Sequence, residues 1–246
     1  MKTAAAVNLS TMGKLTPAVL DLICKGASKQ FELYVGSNLN LSAWQAVYSP
    51  DVKSAPADSR IIYFFDHADQ AGALGYHDEK DPNTGLPFGK IFIEDILSNG
   101  GTVNESPQSI ATTFGHEFIE LATDQNCATW VQCADGSWVA FEPGDPFESD
   151  AQTLDVGSEK VWCTNFAYLS WFDVNGLSEK SFDWMGLGKE PLKAQPDGYT
   201  IRIGTDGKVT TNFGEKFPSW KMNAKMHPAG RTARRVVQAT KLLKTA

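Results

Sequence analysis

The chain has 246 residues, of which 42% are hydrophobic and 11% aromatic, so it contains enough apolar material to bury a core of its own. Its formal net charge of −7 argues against nucleic acid as the main partner, because phosphate-backbone binders carry a basic excess on at least one face. No run approaches the roughly 20 apolar residues of a membrane span, and the first residues lack the apolar core of a signal peptide. We therefore expect neither a membrane partner nor secretion by a signal peptide.

The four cysteines favour a reducing environment. Cys24, Cys127, Cys133 and Cys163 stand at irregular spacings and form no CxxC pair. A chain of this length does not need disulfides for stability, so an intracellular compartment is the simpler expectation. The absence of CxxC pairs also removes the usual thiolate zinc signature.

The first part of the chain predicts one helix followed by strands. Thr16 and Pro17 form a cap and first-turn pair before AVLDLICKGASKQ, which favours a helix there. FELYVG and AWQAVY alternate as strands do, and the almost wholly apolar RIIYFFD indicates a central strand buried on both faces. KIFIEDIL, after a turn-rich segment, is predicted to be the neighbour of that strand.

The second part predicts a long helix and two hairpins. The helix is expected to have Ser106 as its cap and Pro107 at its first position, and to run to about Asp124. WVQCADGSWVAF and YTIRIGTDGKVTTNF each predict a hairpin that turns at an Asp-Gly pair, and VWCTNFAYLSWF is strand-like. We therefore predict an α+β fold with a mixed sheet, in which residues 1–175 form the main domain and residues 176–246 a small β-hairpin extension and a basic tail.

The basic tail, AGRTARRVVQATKLLKTA, predicts an amphipathic C-terminal helix. Its basic residues are Arg231, Arg234, Arg235, Lys241 and Lys244. The simplest expectation is a solvated helix that docks on the body or on a partner subunit. Contact with nucleic acid or a membrane surface is the weaker alternative.

One face of the long helix is polar. At about 100° per residue, one sector holds Ser109, Thr113, His116, Glu117, Glu120 and Asp124. The opposite side is apolar and anchors the helix in the core. Gly115, just before His116, is tolerable in a helix if another group approaches the backbone there, which hints at a crowded site.

The segment HEFIE on this face predicts a metal site. His116 and Glu120 are four residues apart and can reach one ion, as the two histidines of the zinc-protease pattern HExxH do. A carboxylate oxygen is a normal zinc ligand, although it favours zinc less strongly over Mn²⁺ or Ca²⁺ than a second histidine would. Glu117 stands where zinc proteases keep the base that takes a proton from the attacking water. The sequence therefore predicts a zincin-like metal-site helix.

An acidic segment further along the chain is expected to complete this site. FEPGDPFESD contains Asp145 and Glu148 in a turn punctuated by two prolines. If the turn folds over the helix, its carboxylates repel Glu120 and Asp124 unless a cation lies between them, so Asp145 or Glu148 is the predicted third ligand. The alternative is a solvated helix face and an ordinary surface turn. Asp124 is expected to end the helix or to support a ligand.

At these residues the sequence resembles a family found in tailed phages and prophage-bearing bacteria, whose central pattern is close to SHExLExxxDP. The matching segment here is GHEFIELATD, flanked by AGALGYHD and GLPFGKIFIED upstream and by GDPFESD and NFAYLSWFD downstream. The matches cover roughly residues 60 to 175, and the ending GRTARR is similar to the Arg-rich close of that family. The resemblance implies a metallopeptidase-like core of phage origin, located in the bacterial host cytoplasm or in the virion.

Three departures limit what the resemblance carries over. The family's Ser before His is Gly115 here, its Pro after Asp is Gln125, and its Cys before Asp-Pro is Gly144. None of the three can be assigned an essential role. The resemblance also draws attention to His77 in the matched GYHD motif, as a third ligand or a catalytic donor to the transition state. A capping or loop-ordering role for His77 is the alternative.

The leading functional hypothesis is a metal-dependent hydrolase of peptidase type that acts on a peptide or protein. His116, Glu120 and Asp145 or Glu148 would hold the ion, with Zn²⁺ expected first and Ca²⁺ or Mn²⁺ as alternatives, and Glu117 would be the base. The rival hypothesis is a virion structural or decoration protein, in which the same residues hold a structural cation and the partners are other virion proteins. An inactive peptidase-like fold kept as a binding module is the third possibility.

Overall fold

The architecture is α+β with mixed sheets, as the sequence predicts. The computed structural model describes residues 1–172, 181–225 and 235. In chain order the strands are β1 (Lys2–Asn8), β2 (Trp44–Ser49), β3 (Arg60–Phe65), β4 (Gly75–Asp78), β5 (Phe88–Phe92), β6 (Trp130–Gln132), β7 (Trp138–Ala140), β8 (Ala151–Val156), β9 (Glu159–Thr164), β10 (Tyr199–Ile203) and β11 (Val209–Phe213). The α-helices are α1 (Pro17–Gln30), α2 (Gly36–Asn38), α3 (Ile93–Ser98), α4 (Ile110–Thr123) and α5 (Ser219–Lys225).

The main sheet has five strands in the order β2-β1-β3-β5-β4. Its first four members are parallel, and the edge strand β4 runs antiparallel to β5. RIIYFFD forms a buried inner strand, as predicted, whereas KIFIEDIL is strand only as far as Phe92 and then turns into α3. The inner strand β1 was not predicted, because its short run of alanines carries no alternating pattern.

The helix predicted after Thr16 is present, and the strand predicted for FELYVG is wrong. The Thr16 side chain accepts a hydrogen bond from the Val19 backbone N–H, and Pro17 begins α1. The segment Phe31–Val35 continues α1 as a π-helical turn. Its alternation misleads because Phe31 and Val35, four residues apart, also share one side of a helix, and both are buried.

Helix α4, which carries His116, Glu117 and Glu120, begins later than predicted. Its cap is Ser109, whose hydroxyl accepts a hydrogen bond from the Thr112 backbone N–H, so the predicted start at Ser106 and Pro107 is wrong. The preceding residues instead pair with Thr102, which donates its N–H to the Gln108 carbonyl and accepts from the N–H of Ile110. Helix α4 packs between strands β4 and β5 on one side and strand β9 on the other. This double contact explains why almost the whole helix is buried.

Both predicted hairpins form, and they belong to one four-stranded sheet in the order β11-β10-β7-β6. Strand β10 pairs with β7, so this sheet joins segments on either side of residue 175. The division into two domains at that residue stays a prediction. The remaining hairpin, β8–β9, contributes the strand that covers α4.

The predicted basic C-terminal helix lies outside the described residues, except for Arg235. This side chain is fully buried, so it does not belong to a solvated face. Within the described part of the chain, no helix combines the length and the apolar character that crossing a membrane requires.

Candidate metal centre

Aromatic packing holds the polar face of α4 in position. Phe114 and Phe118 project from the opposite side, where Phe114 stacks on Phe64 with a ring-centroid distance of 5.7 Å. Phe118 meets the edge of Phe31 at 5.7 Å. Because these large side chains fix the rotation of the helix, His116, Glu117 and Glu120 are held on the side that faces β4 and the acidic loop.

The first candidate ligand group consists of His116, Glu120 and Asp145. Nε2 of His116 lies 3.1 Å from Oε1 of Glu120 and 3.5 Å from Oδ1 of Asp145. All three residues are buried, so the alternative of a solvated helix face does not hold for them. These buried His, Glu and Asp side chains could hold a metal ion.

The acidic loop does fold over α4, and backbone hydrogen bonds hold it there. Asp145–Phe147 form a short 3-10 turn, in which the Phe147 N–H bonds to the Gly144 carbonyl. The Gln195 N–H donates to the Pro146 carbonyl over 2.8 Å. The position of Asp145 opposite His116 is therefore set by contacts far apart in sequence.

Electrostatics around His116 favour a cation. Burial lowers the pKa of its imidazole, but the charge of Glu120 and hydrogen bonds to Asp145 and Glu120 outweigh this and raise the pKa well above its ordinary value of 6.5. The neighbouring carboxylates therefore stabilise positive charge at this position. A metal ion binds only the deprotonated ring nitrogen, so protons and a divalent ion compete for His116.

A second group lies on the other side of Glu120. His77, on the edge strand β4, has Nδ1 at 3.5 Å from Oε2 of Glu117 and at 3.5 Å from Oε2 of Glu120. His77, Glu117 and Glu120 are also close enough to hold one ion. His77 is fully buried, so a role in catalysis would act through these carboxylates rather than by contact with a substrate.

A buried arginine pairs with two carboxylates next to this second group. Arg235 binds the Asp124 carboxylate, and its Nη2 lies 2.5 Å from Oε1 of Glu142. The same Glu142 oxygen lies 3.8 Å from Nε2 of His77. Asp124 also accepts hydrogen bonds from the Ala128 and Thr129 backbone N–H groups, which fits its predicted role at the helix end. Sequence reasoning missed Glu142 and Arg235 as parts of the site, because 93 residues separate them.

The structure does not bring Glu148 into either ligand group. Its Oε1 lies 3.0 Å from Nζ of Lys221, and both side chains are mostly buried. Glu148 instead lines the wall of a cleft next to the site.

That cleft has a volume of about 270 Å³ and opens onto α4. His116 and Glu117 line it, together with Tyr76 of the edge strand and Trp220 at its rim. Glu120 and Asp145 lie behind His116, with 0% and 2% of their surface exposed. A molecule in the cleft would therefore meet one ligand of the first group and the neighbouring Glu117.

Gly115 does not mark a crowded position. A Cβ on Gly115 would have its nearest neighbour, in Thr164, at 3.8 Å, which is ordinary van der Waals contact. The crowded glycine is Gly144, where a Cβ would lie 2.6 Å from Nδ1 of His116.

Comparisons with protein-family models, curated proteins and solved structures find no match to this chain. Any functional conclusion therefore rests on the chemistry and geometry of the site.

Proposed function

We propose that the protein is a metal-dependent hydrolase of peptidase type, with its ion held by His116, Glu120 and Asp145. The observation that carries the proposal is the position of His116 and Glu117 on the cleft wall, with Glu120 and Asp145 buried behind them. A structural ion is usually closed in by protein ligands, whereas a catalytic one keeps a position open to a cleft.

The donor set suits a zinc-like ion. One imidazole nitrogen and two carboxylate oxygens leave a fourth position free in tetrahedral coordination. Two donors that share a tetrahedral ion at about 2.1 Å are separated by roughly 3.4 Å. The measured separations of 3.1 and 3.5 Å around Nε2 of His116 are close to that value. Zn²⁺ is our first expectation, with Mn²⁺ next.

Glu117 is the proposed base. When bound, the ion supplies a Lewis acid that polarises a substrate carbonyl and makes water more acidic. Glu117 lines the cleft beside His116. It is therefore positioned to take a proton from the attacking water and to pass it to the leaving amine. Tyr76 and the 40% exposed Trp220 would bind apolar parts of a peptide.

The proposal includes kinship with the phage and prophage family that the sequence resembles. Three of the matched segments contribute all the residues of the two candidate ligand groups. GYHD carries His77, GHEFIELATD carries His116, Glu117 and Glu120, and GDPFESD carries Asp145. Coincident matches would not be expected to converge on one buried cluster.

Two isosteric substitutions test the proposal in protein that is loaded with one ion per chain. Glu117→Gln should keep the ion bound at His116 and abolish hydrolysis, because an amide cannot accept the proton. Glu120→Gln should instead weaken binding of that ion. The measurements are zinc content after gel filtration and cleavage of a mixture of unstructured peptides, followed by mass spectrometry. Wild-type protein that holds zinc but cleaves no peptide in such a mixture would contradict the proposal.

A further inference from the structure

The two oxygens of the Glu120 carboxylate face two different histidines. Oε1 lies 3.1 Å from Nε2 of His116, and Oε2 lies 3.5 Å from Nδ1 of His77. Centres with two metal ions about 3.5–4 Å apart commonly use a carboxylate that binds one ion through each oxygen. We infer that the protein has a second divalent-cation site, formed by His77, Glu117 and Oε2 of Glu120, and that Glu120 bridges the two ions.

The spacing of the donor atoms fits this second site as well as it fits the first. Nδ1 of His77 is 3.5 Å from both Oε2 of Glu117 and Oε2 of Glu120. These separations agree with the roughly 3.4 Å expected between donors on one tetrahedral ion. The three residues each offer a ligand atom within 4.8 Å of the other two, which is close enough to hold one ion.

The hydrogen bond on the far side of His77 directs a lone pair toward the site. Nε2 of His77 lies 3.1 Å from the backbone carbonyl of Asp124, which can only accept, so Nε2 carries the hydrogen. In the neutral ring Nδ1 then has its lone pair aimed at the two carboxylates. A histidine whose other nitrogen donates to a backbone carbonyl is the usual form of a metal-binding histidine.

Glu117 provides an independent indication of a ligand. Only 6% of its side chain is exposed, and its Oε2 accepts no hydrogen bond from the described residues. That oxygen points at the Nδ1 of His77. A buried carboxylate oxygen opposite an imidazole lone pair is unfavourable unless a cation or a proton lies between them.

This inference rests on the proposed function for its first ion and adds a consequence for activity. The second ion should bind more weakly, because two like charges share one carboxylate. Its binding occupies Oε2 of Glu117 and withdraws this carboxylate from its role as base. Hydrolysis should therefore fall as the second site fills.

The test is the number of ions bound per chain as free Zn²⁺ is raised in a chelator-buffered series. Wild-type protein should bind two ions in two steps. His77→Gln keeps an N–H donor for the Asp124 carbonyl and should bind one ion, and so should Glu117→Gln. Glu148→Gln is the matched control, because Glu148 lies outside both groups, and it should still bind two ions. Circular dichroism shows whether each variant is folded.

A second measurement does not depend on any variant. Two Mn²⁺ ions about 4 Å apart are magnetically coupled, so the electron paramagnetic resonance signal of the two-ion protein should differ from twice that of the one-ion protein. One ion per chain with hydrolysis intact would overturn the second site and leave the proposed function standing. Two coupled ions, in a protein that shows no hydrolysis even when it holds one ion per chain, would overturn the proposed function and leave the second site standing. Two uncoupled ions would overturn the shared bridge.

Discussion

Gly144 lies directly against the imidazole of His116: a Cβ at this glycine would come within 2.6 Å of Nδ1 and 2.7 Å of Cε1. The φ of Gly144 is −73°, so any residue can adopt its backbone conformation and the restriction is one of space. The ring of His116 is thus held between this backbone and the carboxylates of Glu120 and Asp145.

Gly144→Ala should displace the His116 ring and weaken metal binding. We expect a loss of affinity of about 10- to 100-fold, as for other changes that disturb the orientation of a ligand, and a fall in stability of about 1–3 kcal/mol from overpacking. Gly115→Ala is the control, because a methyl group fits there. It should stabilise the helix by roughly 0.5–1 kcal/mol without changing affinity. Isothermal titration with Zn²⁺ and urea unfolding measure both effects, and equal affinity in the two variants would contradict the assignment of His116 as a ligand.

Removal of metal should lower the thermal stability of the protein. An ion that binds only the native state at a free concentration 100-fold above its Kd adds about 2.7 kcal/mol. For a chain of this length that corresponds to a Tm difference of about 5–11 °C. Differential scanning calorimetry with chelator and with added Zn²⁺ measures the difference. Glu120→Gln should lose most of it, whereas an unchanged Tm in wild-type protein would show that no ion binds.

The acidic loop should stay resistant to proteolysis after chelation. Its turn is held by the Phe147–Gly144 and Gln195–Pro146 backbone bonds, neither of which involves an ion. A structural cation would instead pin the loop, and chelation would then expose it. Digestion with a Glu-specific protease, with and without chelator, distinguishes a loop held by its backbone bonds from a loop held by an ion. The exposed Glu190 is the reference cleavage site. Cleavage at Glu142 or Glu148 only after chelation, in a protein that hydrolyses no peptide, would favour the virion structural alternative.

Loss of the buried arginine should be costly. Arg235→Met removes the buried guanidinium that pairs with Asp124 and Glu142, and breaking such a buried pair costs about 3–5 kcal/mol. Arg202→Met removes a partly exposed pair with Asp135 and should cost about 0–1 kcal/mol. Adding Glu142→Gln to Arg235→Met should recover part of the loss, because one uncompensated carboxylate disappears. Urea unfolding measures all three, and equal costs for the two arginines would show that the buried pair has no special role.

The sequence alone was sufficient to predict the α+β class, the helix that carries His116, Glu117 and Glu120, and the hairpins at the two Asp-Gly turns. These features are local: helical spacing puts residues 116 and 120 on one face, and glycine with positive φ closes a hairpin. A contact between that helix and either Asp145 or Glu148 was also expected, from charge repulsion among the carboxylates, and the structure brings Asp145 to His116. Whether Glu148 binds an ion and where the domain divides stay predictions.

The tertiary structure decided everything that depends on distant segments. It brings His77 from an edge strand to within 3.5 Å of Glu117 and Glu120, and Arg235 from near the end of the chain to Asp124 and Glu142. It also turns FELYVG into a helical turn, since burying Phe31 against Phe118 outweighs an alternating pattern. Local patterns determine which side of a helix or strand a residue occupies. Packing between elements determines which other residues that side contacts, and a metal centre depends on this packing because its ligands come from different elements.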